Sequence, residues 1–260
     1  MKVPYYHVDA FTDNLFSGNP AGVCLLNEWL PDAILQKIAA ENNLPETAFL
    51  VGDDTEYQLR WFTPTIEIDL CGHATLASAF VLHLARKGVP RVISFATKSG
   101  ILTVEKQGDL FIMDFPARKA DKCRPPEGLI NGLGEAPRSV FKARDFLAVF
   151  DNEKQVKSLV PDFKKLASLD CLGIIVTAPG RDVDFVSRFF APAAGIPEDP
   201  VTGSSHCTLI PYWAEQTGKN TLVARQLSNR GGDLYCTLKG DRVLIGGRAV
   251  LYLAGKISIS

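Results

Sequence analysis

Three ionisable side chains stand at positions where packing alone does not explain them. Glu46 heads an apolar segment, and His73 directly follows Gly72 at the start of a helical pattern. Asp199 precedes a second helical pattern, which starts at Gly203. Carboxylates and imidazoles give and take protons near pH 7, so these residue types predict general acid/base chemistry. A structural alternative stays open for each, because a carboxylate can mark an exposed strand end or favour a helix dipole, and a histidine can cap a turn.

The two glycines predict open backbone N–H groups at the first turn of each helix. Free N–H groups and the positive end of a helix dipole suit a carboxylate or an enolate-like intermediate. The alternative is that Gly72 and Gly203 only permit tight strand-to-helix turns. We expect the dipole to favour the neutral imidazole of His73. If the two halves pack about a pseudo-two-fold axis, we expect both helix starts to face one cleft.

The two halves of the chain repeat each other, which predicts an internal duplication. Residues 60–64 read Arg-Trp-Phe-Thr-Pro and residues 188–192 read Arg-Phe-Phe-Ala-Pro, and each segment is followed by one of the helix-starting glycines. Further matches in the same order are 99–100 with 230–231 and 108–109 with 240–241. The offset between matching positions stays between 128 and 132 residues, close to half of the chain.

Periodicity predicts an α+β fold in which each half is a curved mixed sheet wrapped around a central helix. The segment Tyr57–Phe62 alternates polar and apolar residues, as a half-buried strand does. Residues 72–87 are rich in Ala and Leu and have almost no polar face, which predicts a helix covered on all sides and stopped by Gly88. The other predicted elements are strands at Val92–Phe95, Gly100–Glu105, Leu110–Phe115 and Ala249–Leu253, and an outer helix at Pro31–Asn42.

We expect two domains built from the two halves. The first comprises residues 1–117, with the C-terminal strand 249–260 returning to it, and the second comprises residues 118–248. The stretch Ala117–Pro126 is basic and contains prolines without periodicity, which predicts a linker.

The composition excludes several classes of function. With 28 basic and 29 acidic residues the net charge is −1, which argues against nucleic acid as a partner. The sequence shows no signal peptide and no apolar run near the roughly 20 residues that span a bilayer, so we expect a cytoplasmic protein without a membrane partner. Six scattered cysteines without a CxxC pair predict reduced thiols and no metal site.

Five motifs carry a resemblance that spans nearly the whole chain. They are residues 18–23 (Gly-Asn-Pro-Ala-Gly-Val), 44–49 (Leu-Pro-Glu-Thr-Ala-Phe), 61–64 (Trp-Phe-Thr-Pro), 71–75 (Cys-Gly-His-Ala-Thr) and 198–204 (Glu-Asp-Pro-Val-Thr-Gly-Ser). In this order they resemble the signatures of the PhzF-like phenazine-biosynthesis protein family, whose fold is similar to that of diaminopimelate epimerase. The resemblance implies two pseudo-symmetric halves, an isomerase that needs no cofactor, and a homodimer.

The resemblance also implies a role for each candidate residue. Glu46 matches the family's catalytic glutamate, which shuttles a proton between carbons of a cyclohexadiene acid, and His73 and Asp199 match its supporting acid–base pair. The predicted substrate-binding residues are Asn19, Cys71, Gly72, Gly203 and Ser204. The glycines and the serine match the family's cradle for the substrate carboxylate. We therefore expect a small unsaturated or cyclic carboxylic acid as the substrate.

Three alternatives are weighed against this interpretation. An amino-acid epimerase or racemase of the same fold needs two opposed cysteines, and Cys71 stands at the first position but Pro200 at the second. A cysteine hydrolase is disfavoured, because residues two apart on a helix start, such as Cys71 and His73, point to different sides. A non-catalytic protein that binds a small acid would need no general base such as Glu46. The loops 117–126 and 138–144 are expected to set the specificity, which the sequence does not identify.

Overall fold

The computed structural model describes residues 1–53 and 56–259, and the chain divides into two compact units. The first unit comprises Met1–Asp114 and Gly246–Ser260, and the second comprises Phe115–Ile245. The sequence places the two boundaries at 117/118 and 248/249, three residues further along the chain in each case. Residue 260 of the predicted C-terminal strand lies outside the described residues.

The first unit is a mixed sheet with two helices. Its strands are β1 (Lys2–Ala10), β2 (Asn19–Leu26), β3 (Glu46–Gly52), β4 (Tyr57–Phe62), β5 (Glu67–Ile68), β6 (Val92–Thr97), β7 (Gly100–Gln107), β8 (Leu110–Pro116) and the last strand of the chain, β18 (Ala249–Ser258). Its helices are α1 (Asp32–Asn42) and α2 (Gly72–Ala85). Strands β2 and β3 are parallel, as are β4 and β6, whereas the pairs β1–β2, β1–β18, β3–β4, β4–β5, β6–β7 and β7–β8 are antiparallel.

Helix α2 is the central helix of this unit. It packs against β1, β2, β3, β7 and β18, and nine of its residues between His73 and Leu82 are buried. The helix ends at Ala85, two residues before the predicted end, and Leu84 is 51% exposed. The prediction that α2 is covered on all sides is therefore wrong for its last turn. Helix α1 packs against the sheet through Leu35, Ile38 and Ala39, which form a hydrophobic cluster with residues of β2, β3 and β4.

The second unit is also a mixed sheet around one long helix. Its strands are β9 (Asp121–Cys123), β10 (Ser139–Lys142), β11 (Phe146–Val149), β12 (Ile174–Pro179), β13 (Phe185–Ala191), β14 (Ile196–Asp199), β15 (Thr221–Gln226), β16 (Gly232–Lys239) and β17 (Arg242–Gly247). Its helices are α3 (Glu127–Leu133), α4 (Glu153–Ser158), α5 (Phe163–Ala167) and α6 (Gly203–Thr217), with a 3₁₀ turn at Pro192–Ala194. The long helix α6 packs against β15 and β16.

The strand pairing of the second unit repeats that of the first. Strands β11 and β12 are parallel, β12–β13 and β13–β14 are antiparallel, β13 and β15 are parallel, and β15–β16 are antiparallel. These five pairings correspond one for one to β2–β3, β3–β4, β4–β5, β4–β6 and β6–β7. The pairing agrees with the internal duplication that the sequence repeat predicts.

One ion pair is repeated along with the strands. Arg60 on β4 makes a two-point contact with Glu67, at 2.7 and 2.8 Å. Arg188 on β13 makes the same contact with Glu198, at 2.7 and 2.9 Å. The two arginines open the repeated motif of the sequence, so the motif marks a structural ion pair in each unit.

The predicted linker Ala117–Pro126 is part of the second unit, and the prediction is wrong. Strand β9 within it pairs with β10, and the Arg118 N–H donates to the carbonyl oxygen of Cys207 at 2.8 Å. That carbonyl is available because its usual partner in α6 is residue 211, a proline without an N–H. The free carbonyl depends on a proline in a distant helix, so the local sequence of residues 117–126 does not reveal this contact. No helix in the described part of the chain has the length and apolar content to cross a bilayer.

Candidate active site

The first unit brings two of the predicted catalytic residues into contact. The Nε2 atom of His73 lies 3.1 Å from Oε2 of Glu46, and the two residues are only 6% and 8% exposed. Within residues 1–53 and 56–259 neither of these two atoms has a regular hydrogen bond to another group. A buried carboxylate and imidazole that face each other form an acid–base pair. Because neither atom has a regular hydrogen bond to another group, the pair can still hydrogen-bond to a ligand.

The fold explains why these residues meet. Glu46 is the first residue of β3 and lies opposite Ala21 of the parallel strand β2. His73 is the second residue of α2, which packs against both strands. The end of a buried strand and the start of a buried helix therefore hold the pair from two sides.

Cys71 lies closer to His73 than the sequence predicts. Its sulfur is 3.5 Å from Nδ1 of the imidazole, although we expect residues two apart on a helix to point to different sides. The prediction is wrong because Cys71 precedes the helix and has an extended backbone, with φ −144° and ψ 107°. The imidazole thus lies between a thiol on one nitrogen and a carboxylate on the other.

Two neighbouring side chains change the protonation of His73. Burial by itself lowers the pKa of His73, but the Cys71 sulfur and the Glu46 carboxylate beside the ring outweigh it and hold the pKa well above 6.5. Burial raises the pKa of the Cys71 thiol to about 11. The raised pKa of His73 favours the imidazolium, so the prediction of a neutral imidazole is wrong.

The same cluster corrects the expectation that no set of metal ligands exists. A carboxylate oxygen of Glu46, the sulfur of Cys71 and a ring nitrogen of His73 all lie within 4.8 Å of one another. A carboxylate, a thiolate and an imidazole are ligands that Zn²⁺ accepts. Both ring nitrogens of His73 already face a neighbour, so a metal would have to displace one of these contacts and a proton of the thiol.

Two further predicted residues lie at this end of the first unit. Asn19 starts β2 and is completely buried, two residues before the position opposite Glu46. Gly72 is the first residue of α2, which within the described residues has no side-chain hydrogen bond at its N-cap. The first N–H groups of the helix are therefore not taken by a capping side chain.

The second unit holds Asp199 in a network that the sequence does not show. The Thr202 hydroxyl donates to the Asp199 carboxylate, and the buried Gln226 amide donates to the Asp199 carbonyl at 2.8 Å. The Thr202 N–H in turn donates to Oε1 of Gln226 at 3.0 Å. Thr202 and Gln226 are thus positioning residues missed by sequence reasoning, and no local signal marks Gln226, because it is 27 residues from Asp199.

The start of α6 also has no side-chain cap within the described residues, unlike the short helices α4 and α5. Asn152 and Asp162 cap those two helices with their side chains. A Cβ atom built on Gly203, the first residue of α6, would meet no atom within 4 Å. The space in front of this glycine and the uncapped N–H groups fit the predicted cradle for a carboxylate.

The other histidines have structural environments. His206 in α6 is completely buried, its Nδ1 donates to the carbonyl of Thr202 at 2.8 Å, and burial lowers its pKa to about 4. The rings of His7 and His83 pack on Tyr252 and Phe111. These contacts agree with the packing role expected for His7 and His83, whereas the ring of His73 faces the carboxylate of Glu46.

Comparison with known structures first defines the class of fold. A hydroxyproline epimerase from Agrobacterium vitis matches with a TM-score of 0.61 and 11% identity, over 98% of this chain and 91% of that chain. Such a likeness shows the fold alone, and it confirms the predicted α+β fold of the epimerase type.

The family follows from closer matches. The family model described as phenazine biosynthesis-like protein matches residues 8–255. The crystal structure of a PhzF family protein from Enterococcus faecalis has a TM-score of 0.98 and 46% identity, over 100% of both chains. An uncharacterized isomerase of Pseudomonas aeruginosa is 51% identical over 100% of both chains. The chain belongs to the phenazine biosynthesis-like, or PhzF, protein family, as the motifs predict.

Proposed function

We propose that this protein is an isomerase that moves a proton on a small unsaturated or cyclic carboxylic acid without a cofactor. The observation that carries the proposal is the buried contact of 3.1 Å between His73 and Glu46. Membership of the PhzF family supports it, as does the name isomerase given to relatives that are 47–51% identical.

The geometry supports a proton shuttle. The Glu46 carboxylate takes a proton from one carbon of the acid, the negative charge spreads over the conjugated system onto the carboxylate oxygens, and the proton returns at another carbon. No atom is lost and nothing is oxidised or reduced. The His73 imidazolium stabilises the Glu46 carboxylate before the reaction and can return a proton after it. The N–H groups at the start of α2 suit the charge that develops on the substrate oxygens.

The second unit holds three more residues for which the family resemblance implies a role. Asp199 is the predicted partner of His73 in acid/base catalysis, and its hydrogen bond from Thr202 fixes the orientation of its carboxylate. Gly203 and Ser204 are the predicted carboxylate cradle. The homodimer and the cytoplasmic location stay predictions, which light scattering and cell fractionation can test.

A substitution of the base tests the proposal directly. A panel of unsaturated and cyclic acids is incubated with the enzyme in D₂O, and deuterium uptake is followed by NMR. We expect Glu46→Gln to lower the rate by about 10²- to 10⁴-fold, because a general base contributes roughly this factor. The matched control is Glu105→Gln on β7, since Glu105 pairs with the exposed Arg91. Uptake by Glu46→Gln at the wild-type rate, or no uptake of any acid with the wild type, contradicts the proposal.

The alternative of an amino-acid epimerase has less support. Such an enzyme needs two thiols that exchange protons with the substrate, and the structure raises the pKa of the Cys71 thiol to about 11. The second position of the pair is Pro200, which has no proton to give. The same assay distinguishes the two functions, because an epimerase would incorporate deuterium at the α-carbon of an amino acid and would depend on Cys71.

A further inference from the structure

The second unit contains an arginine whose guanidinium is held rigidly by a buried acid. Nε of Arg144 lies 3.1 and 3.2 Å from the two carboxylate oxygens of Asp145, and Nη2 lies 2.7 Å from one of them. Asp145 is completely buried, whereas the Arg144 side chain is 32% exposed. A two-point contact with a buried carboxylate fixes the plane of a guanidinium, so its remaining donors point in defined directions.

Those donors lie at the start of α6. Nη2 of Arg144 donates to the hydroxyl of Ser204, the second residue of the helix, at 3.2 Å. Nη1, the third nitrogen, has no hydrogen bond or ion pair to any of the residues described by the structure. The guanidinium that contacts Ser204 therefore has two further N–H donors on Nη1, and a Cβ atom on the neighbouring Gly203 would meet open space.

Three arginines act on the first turns of α6. Burial raises the pKa of Cys207, one turn further along α6, and the charges of Arg118, Arg144 and Arg242 lower it. Arg118 is brought there by its backbone bond to the carbonyl of Cys207. Its buried Nη1 atom has no hydrogen-bond partner among residues 1–53 and 56–259. Asp145 neutralises Arg144 and the Asp199 carboxylate accepts from Thr202 at the N-cap of α6, but the buried Nη1 donor of Arg118 has no partner and favours an anionic ligand.

We propose that Arg144 binds the carboxylate of the substrate, together with Ser204 and the N–H groups at the start of α6. The inference rests on the proposed function for the identity of the ligand as a small acid. It adds a residue outside the family motifs found in the sequence, at the end of the segment 138–144 that is expected to set specificity; most of that segment is strand β10, and Arg144 lies between β10 and β11. Asp145 is a positioning residue, because it holds Arg144 and does not itself face the ligand.

The proposal predicts that affinity depends on the charge of the carboxylate through Arg144. Isothermal titration calorimetry measures binding of cyclohex-1-ene-1-carboxylate and of its neutral primary amide. We expect the wild type to prefer the acid and Arg144→Gln to weaken binding of the acid by about tenfold or more, with little change for the amide. Such a difference separates a contact with the carboxylate from a general loss of the site.

Removing one partner of a buried ion pair can unfold a protein, so a second variant is needed. The double variant Arg144→Gln, Asp145→Asn removes both charges and retains groups that can hydrogen-bond to each other, and we expect it to fold and to lose the same affinity for the acid. The matched control is Arg225→Gln, because Arg225 also pairs with an acid, Asp233, elsewhere in the unit. We expect this control to keep the wild-type affinity.

Several results would overturn the inference. They are equal wild-type affinity for the acid and the amide, no measurable binding of the acid, or a folded double variant with wild-type affinity for the acid. The outcome is separate from that of the proposed function, since Glu46→Gln tests proton transfer and keeps Arg144. If Glu46→Gln still exchanged deuterium while the double variant lost affinity for the acid, the isomerase mechanism would fail and the carboxylate contact would stand.

Discussion

The two units begin their long helices in the same way and place different side chains there. In α2 the Thr75 hydroxyl donates to the carbonyl of Cys71 at 2.6 Å, four residues back. In α6 the imidazole of His206 donates to the carbonyl of Thr202 at 2.8 Å, also four residues back. His206 is thus the counterpart of Thr75 and has the same structural role. The histidine in the second unit is not a copy of His73.

Strands β3 and β12, which correspond in the two units, begin at equivalent places. Thr47 of β3 lies opposite Phe62, and Ile174 of β12 lies opposite Phe190. Phe62 and Phe190 occupy the same position of the repeated motif. The residue before Thr47 in the first unit therefore corresponds to the residue before Ile174 in the second.

Those two residues are Glu46 and Gly173. A Cβ atom on Gly173 would lie 2.2 Å from the ring of Phe189, so any side chain there would require this ring to move. The first unit keeps a carboxylate at this position and the second fills the space with an aromatic ring. Duplication preserved the backbone and the Arg–Glu ion pair, whereas among the described residues the acid–base pair of Glu46 and His73 has no counterpart at the equivalent positions of the second unit.

The largest effect on activity should come from substituting the histidine of the first unit, whereas substituting the histidine of the second unit should have none. We expect His73→Gln to lower the rate of deuterium exchange by about 10²- to 10⁴-fold, because the partner of Glu46 is lost. His206→Thr should leave the rate unchanged, because threonine makes the same backbone bond in the first unit. The rates are measured by NMR in D₂O. A strong loss of rate in folded His206→Thr would show that the comparison of the two histidines is wrong.

The repeated ion pair should differ in strength between the units. Arg188→Met should lower the free energy of unfolding by about 3 kcal/mol, since Glu198 loses its cation. In addition, two backbone carbonyls lose a donor. Arg60→Met should cost only about 1 to 2 kcal/mol, because Lys98 still lies 2.6 Å from Glu67. Urea denaturation measures both, and equal losses would contradict the difference.

The two buried histidines should give stability opposite dependences on pH. Burial lowers the pKa of folded His206 to about 4, so between pH 6.5 and 4 only the unfolded chain binds the proton, and stability falls by roughly 3 kcal/mol as the pH falls. The pKa of folded His73 is raised, so above pH 6.5 only the folded chain keeps the proton, and stability falls as the pH rises.

Denaturation of the wild type and two variants over this range separates the contributions. His206→Thr should lose the acid-side slope, and His73→Gln should lose the alkaline-side slope. If both variants retain the full pH dependence of the wild type, the opposite protonation of the two histidines is excluded.

Part of this asymmetry was accessible from the sequence. The starts of α2 and α6 follow from glycine before an apolar run, and the equivalence of the units follows from the repeated Arg-aromatic-aromatic motif. The contact between Cys71 and His73 was not accessible, because it depends on the extended backbone at the N-cap. The bond from Arg144 to Ser204 spans 60 residues, and no local periodicity reports which loop reaches a helix start.

The smallest effects on the free energy of unfolding should come from two glycines of the second unit, one in a crowded position and one beside open space. Gly173→Ala should lower the free energy of unfolding by about 1 to 3 kcal/mol, because Phe189 must move from its packed site. Gly203→Ala should change it by less than about 0.5 kcal/mol, since the added methyl group meets open space and alanine favours a helix. Thermal denaturation measures both changes.

Gly203→Ala should nevertheless weaken binding of a small carboxylic acid, because the methyl group occupies the space in front of the helix start. Calorimetric titration of Gly203→Ala with cyclohex-1-ene-1-carboxylate checks this. If the variant were fully stable and bound the acid as the wild type does, the open space at the start of α6 would not hold the ligand. The start of α6 would then have a structural role only, as His206 has.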